Sequence, residues 1–222
     1  MPKIKIPKHS PSIDMTPMVD LAFLLVTFFM LAASFRPSEP VTVESPSSVS
    51  DKVIPENNIM VTLDADGKVF FNLTDPEARK ETLMNMAGLY KISMNDEQIE
   101  KFSLMSTFGC AIKELPSYID LSGDERKTFE TKGIPLDSLD NQLKNWISYG
   151  NVAALNSGKT AFEEARLKGL APLAEDFKPK FIIRVDSKTV YKKAEKVIDV
   201  FRELNLNNLN FVTSSEFNPN NP

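Results

Sequence analysis

One segment of this 222-residue chain departs from the mixed apolar and polar pattern of the rest. Met18 to Phe35 reads MVDLAFLLVTFFMLAASF, in which only Asp20, Thr27 and Ser34 are polar. As a helix of 18 residues it extends about 27 Å, close to the roughly 30 Å of a bilayer's hydrocarbon. A core helix of a soluble protein keeps a polar face, and this segment has none. The pattern predicts a transmembrane helix over 18–35, with Thr16 placed to cap it and Pro17 suited to its first position. A cleaved secretory signal is the competing reading, with a basic start and Ala32-Ala33-Ser34 as its cleavage site. Pro17 and Asp20 interrupt such a signal, and the run is long for one, so a retained anchor is the expectation.

Downstream the periodicity changes. Residues 37–57, PSEPVTVESPSSVSDKVIPEN, hold four prolines and five serines and predict an extended linker. Val41-Thr42-Val43 has strand character inside it, so a plain spacer and a segment that pairs by strand addition both fit. Ile59–Leu63 and Val69–Leu73 are short β-rich runs separated by Asp64-Ala65-Asp66-Gly67-Lys68. Asp66-Gly67 signals a hairpin; the same residues echo part of a calcium loop but lack its remaining ligands. Near the C-terminus a strand at Phe181–Asp186, an amphipathic helix at Val190–Leu204 and a strand at Leu209–Thr213 predict a parallel crossover. Between these blocks, helices are expected over Pro76–Leu89 and Asn95–Met105. Another is expected to open at the Ser122-x-x-Glu125 capping box, and another to carry Leu136, Leu139, Leu143, Trp146 and Ile147 on one face. A last one is expected to open at Thr160-x-x-Glu163. The apolar and Met-rich positions of this stretch, among them Met84, Phe102 and Phe108, read as core, with an adaptable partner surface as the alternative.

Charge sets the orientation. Lys3, Lys5 and Lys8 lie just before the apolar run and Arg36 alone just after it, which places the N-terminus in the cytoplasm and exports the chain beyond Phe35. The net charge of −4 offers no basic field for nucleic acid. One cysteine, Cys110, excludes an internal disulfide. The one histidine, His9, precedes the span, so a His-based triad or His-ligated zinc is excluded from the exported part. No phosphate-binding, zincin or nucleophile-elbow motif occurs, and neither a cofactor, a metal nor an enzymatic activity is expected.

Asp20 is the residue that requires an explanation. A carboxylate within a spanning helix is costly and marks function by default. Near the helix start it also fits a bland role, snorkelling to water or assisting the cap. As a proton carrier it would alternate between neutral and charged forms, with Thr27, seven residues on and on the same face, as support for a proton path. Thr27 equally fits a hydroxyl that bonds its own helix's carbonyls.

Pro11 to Pro37, PSIDMTPMVDLAFLLVTFFMLAASFRP, resembles the membrane segment of the ExbD/TolR family, whose DMTPMVD-like motif leads into a single helix. Ile59–Phe71 and Lys180–Thr213 resemble the opening hairpin and the end of the family's exported domain. The resemblance implies that Asp20 is the proton-responsive carboxylate, and it implies a homodimer inside an ExbB-like multi-span proton channel that drives a TonB-like protein. A TolR-like subunit for envelope integrity and a membrane-tethered periplasmic binding module are the alternatives. The family's domain has one helix between hairpin and third strand, so about 75–134 is expected to be a helical insertion. The expected fold is α+β, an α/β sandwich: one N-terminal transmembrane helix and an exported mixed sheet with helices on one face. The expected divisions are a cytoplasmic 1–17, the span 18–35, a linker 36–57, a periplasmic domain 58–215 and a tail 216–222. The expected place is the bacterial inner membrane, crossed once, with the linker pairing a partner strand at Val41 and Val43.

Overall fold

A computed structural model describes residues 16–32, 43–44, 47–48, 57–137, 140–170, 177–212 and 214–215. The chain divides into two compact units, Met1–Arg36 and Pro37–Pro222.

The first unit contains α1, Thr16–Ala32, whose apolar side chains are exposed all round the helix. Its 17 residues extend about 26 Å. Among the described residues no helix is long and apolar enough to cross a membrane. The expected span and α1 share residues 18–32, and 33–35 lie outside the described residues.

The second unit is built on a four-stranded mixed sheet. Its strands are β2 (Asn58–Leu63), β3 (Val69–Leu73), β4 (Lys180–Val185) and β5 (Leu209–Val212), in the spatial order β3-β2-β4-β5. β2 and β3 form the antiparallel hairpin, with Ile59 opposite Leu73 and Leu63 opposite Val69. β4 runs parallel to both β2 and β5. The hairpin turn closes as its sequence requires. Gly67 takes φ +75°, the Gly67 N–H donates to the Asp64 carbonyl, and the Asp64 carboxylate accepts from the Lys68 N–H at 2.7 Å. A separate two-residue pair, β1 (Ser47–Ser48) with β6 (Ser214–Ser215), joins the linker region to the far end of the chain.

The longer connections between strands carry helices whose ends obey capping chemistry. In α2, Pro76–Tyr90, Asp75 accepts from the Glu77 N–H and Pro76 opens the helix. Asn95 and Gln98 form a capping box at α3, Asp96–Leu104. After α4 (Leu115–Asp120), Ser122 and Glu125 form another at α5, Gly123–Thr128. α7, Tyr191–Glu203, makes the crossover from β4 to β5.

The helix α6 corrects the sequence reading. It runs unbroken from Gln142 to Leu167, where two helices were expected. Leu136 does not open it; that residue bridges to Asn141, whose side chain caps α6 by accepting from the Lys144 N–H. Leu139 lies outside the described residues. Thr160 does not start a new helix, because its hydroxyl bonds the Asn156 carbonyl one turn back and the backbone continues.

One face of the sheet carries Ile59, Val61 and Leu63 of β2, Val69, Phe71 and Leu73 of β3, and Phe181 and Ile183 of β4, all buried. α6 and α7 pack on it: Phe71 meets Trp146 at 5.9 Å between ring centroids, and Phe181 meets Phe201 at the same distance. The opposite face is not bare. Thr62, Phe70 and Ile182 are buried there, and Gly109 lies so close to the Phe70 ring that a Cβ would sit 2.2 Å from it. The outer edge of β3 is also covered: Phe71 exchanges both backbone hydrogen bonds with Phe108, and the Ile134 N–H donates to the Val69 carbonyl. Residues expected to form a helical insertion thus help to build the core, with Phe102, Phe108, Ile112, Leu115, Tyr118 and Ile119 all buried.

Candidate functional site

The helix α1 presents the candidate chemistry. Asp20 is exposed and lies past the first turn, where no unsatisfied backbone N–H remains for it to cap. Thr27 is seven residues on, about 10.5 Å along the axis and on the same face, so the two share a stripe without touching. The Thr27 hydroxyl lies 3.0 Å from both the Phe23 and Leu24 carbonyls. Its proton is thus held by its own helix, and its free capacity toward Asp20's side of the stripe is as an acceptor. Thr16 is the first residue of α1, with its side chain outside the described residues, and Pro17 follows it.

The second place of interest lies where residues 43–44 touch the sheet of the second unit. Val41 falls outside the described residues; Val43 is half-buried and belongs to no strand. The attachment comes at the next residue. The Glu44 N–H donates to Asp186 Oδ2 at 2.9 Å, the Ser187 N–H donates to the Glu44 carbonyl at 2.9 Å, and Lys188 Nζ lies 3.0 Å from the Glu44 carboxylate. Asp186 also accepts from the Lys188 N–H, and the backbone donors of Lys188 and Glu44 hold its carboxyl below the usual range. Glu44 in turn raises the Lys188 ammonium above its ordinary value. The linker then pairs at Ser47–Ser48 and enters β2 at Asn57, whose side-chain Nδ2 donates to the Phe177 carbonyl at 2.8 Å.

Arg79, Gln142 and Asp140, which the sequence did not single out, organise the second unit. Arg79 reaches four backbone carbonyls, those of Leu73, Thr74, Ser103 and Met105. Burial pulls its guanidinium down from its ordinary value while Asp75 opposes the shift. Gln142 is buried; its carbonyl accepts from the Ile112 N–H and its amide donates to Asp140. Asp140 accepts from the Tyr90 hydroxyl at 2.6 Å, and its pKa is lowered by that bond and then by Gln142. Cys110 is fully buried, and burial pushes its thiol up to about 12. Among the described residues no group of three or more His, Cys, Asp or Glu is placed to hold a metal ion. The Asp64 carboxylate of the turn that echoed a calcium loop is engaged by a backbone N–H.

Comparison with known proteins falls on one family. The family described as "Biopolymer transport protein ExbD/TolR" matches residues 7–216. Among curated proteins the chain is similar to the biopolymer transport protein ExbD of Aquifex aeolicus (strain VF5), at 23% identity over 112 residues, covering 46% of this chain and 85% of that protein. Nearly all of the shorter relative is therefore matched by less than half of this chain, which carries the extra length. No solved structure matches.

Proposed function

The chain belongs to the ExbD/TolR family of biopolymer transport proteins, and from that premise we propose that it is the proton-responsive, force-transmitting subunit of an inner-membrane motor. The apolar segment 18–35 crosses the bilayer once, with residues 1–17 in the cytoplasm and the unit from 37 onward in the periplasm. Asp20 carries this reading. It is the one ionisable residue of an apolar helix, beyond the reach of a cap and on one stripe with Thr27. The all-round apolar surface of α1 suits a helix enclosed by other membrane helices, those of an ExbB-like channel, with a second copy of this chain beside it. Protonation of Asp20 removes a charge that the enclosure must otherwise accommodate, and the gain and loss of that charge move the subunit. The exported unit passes the movement to a TonB-like protein. No bond of a substrate is made or broken in this scheme, so the chain is not an enzyme.

The similarity to an ExbD protein favours transport across the outer membrane over a Tol-type role in envelope integrity. The test is Asp20→Asn in the full chain. The variant is expected to insert and assemble with its channel partner yet lose proton-dependent uptake. Full uptake by the assembled variant would sink the reading.

A further inference from the structure

We propose that Asn57 is a mechanical anchorage, the residue at which tension on the linker enters the folded unit and is shared between the sheet and α6. Its biological meaning rests on the force-transmitting reading above; the mechanics rest on the contacts. Asn57 immediately precedes β2, and β2 is an inner strand, hydrogen-bonded to β3 on one side and β4 on the other. At this end both neighbours are tied down. The Asn57 carbonyl accepts from the Lys180 N–H at 3.0 Å, and the Asn58 carbonyl accepts from the Thr74 N–H at 3.1 Å. The Asn57 side chain adds the third tie, to the Phe177 carbonyl at 2.8 Å.

That carbonyl rests on α6. A Cβ on Gly158 would come within 2.2 Å of it, so glycine is what lets the helix approach. Phe177 is fastened again through its ring, which meets Phe162 of α6 edge-on at 5.7 Å. Arg166 covers the other partner, with its guanidinium carbon 5.9 Å from the centre of the Phe162 ring.

A pull applied at Asn57 along β2 meets two ladders whose hydrogen bonds run across the direction of the pull. These bonds share the load and must yield together, whereas a strand peeled from a sheet edge loses them one at a time. Asn57 extends the sharing to the helix layer through Phe177. Upstream, the Glu44 clasp is one exposed ion pair and two hydrogen bonds, to Asp186 and from Ser187, and β1 pairs with β6 over two residues, so each engages fewer bonds than the ladders on β2. Among the described residues Asn57 is therefore where the linker first meets the ladders of the four-stranded sheet, the contacts best placed to resist a sustained pull.

The test is single-molecule unfolding of the full chain in detergent at constant force. One geometry has handles at the two termini, so tension passes through Asn57. A second has one handle on a tag inserted at the exposed Ser93 turn and the other at the C-terminus, so it does not. Asn57→Ala removes the donor, and Gly158→Ala displaces the Phe177 carbonyl from the other side, which gives two independent routes to the same clamp. Each is expected to raise the unfolding rate about tenfold in the end-to-end geometry, the effect of losing one well-made hydrogen bond, and to change it little in the second. An equal rise in both geometries would mean that the residues merely stabilise the fold, and an unchanged end-to-end rate would mean that tension does not enter here; either overturns the proposal. Asp20→Asn should leave both rates unchanged, so a failure of the proton-driven reading is distinguishable from a failure of the anchorage.

Discussion

Arg79 donates to two carbonyls at the end of β3 and two at the end of α3. A guanidinium can serve four acceptors because its donors are fixed in a plane, and the last carbonyls of a helix favour a cation. Replacing it with methionine keeps most of the stem and leaves half-buried carbonyls without donors. Arg79→Met is expected to lower unfolding stability by about 2–4 kcal/mol, read as a reduced midpoint in urea with the slope retained. Arg79 also marks a limit of sequence reading at this scale. A lone arginine in a polar helix face has no local signature, and its partners lie up to 26 residues away. Asp20 is the opposite case: the residues around it are almost uniformly apolar, so this one carboxylate stands out in the sequence, and its role is what the Asp20→Asn variant tests.

Elements whose ends are fixed by neighbours in sequence were also legible. The hairpin turn and the Ser122 cap of α5 join residues no more than four apart, and the structure reproduces both, while α2 and α3 begin within a residue of where they were expected. α6 was misread because Thr160-x-x-Glu163 has the spacing of a capping box. Gly150 and Gly158 do not break the helix either. Both are instead places of close packing, against the Phe71 ring and the Phe177 carbonyl. The linker's attachment to Asp186 joins residues 142 apart and left no trace in either local pattern. That attachment should respond to pH. The Asp186 carboxyl is held below its ordinary value in the folded unit, so its contribution is fully present above the unfolded pKa of about 4 and is lost as pH falls through the lower, folded value. Amide exchange at Glu44 and Ser187 is expected to be slow at neutral pH and to lose its protection in acid, before the global unfolding transition. Protection that persists until global unfolding would show that the carboxylate does not hold the linker.

For the whole molecule, the expected architecture of an apolar helix followed by a mixed α+β unit was visible from periodicity. What was not visible is that the extra residues are part of the core. Their apolar positions read as core material, yet nothing in them said which sheet edge or face they would meet, because burial against β3 is decided by contacts far apart in the chain. Deleting 92–134 should therefore not leave a smaller working domain. It removes Phe108 from its contact with Trp146, 4.8 Å between ring centroids, and strips the cover from the outer edge of β3. The expected result is loss of near-ultraviolet dichroism and of cooperative urea unfolding; a deletion that retained both would show the segment to be a separable appendage.

The covered edge of β3 has a further consequence. Among the described residues the four-stranded sheet ends at β3 on one side, where Phe108 and Ile134 already occupy backbone groups, and at β5 on the other. A sheet that can be continued on both sides can grow without limit into a fibre, whereas one that can be continued on one side stops when a single neighbour has joined. The added residues thus close one of the two edges to strand-by-strand association, so that any association through β5 would stop at a pair.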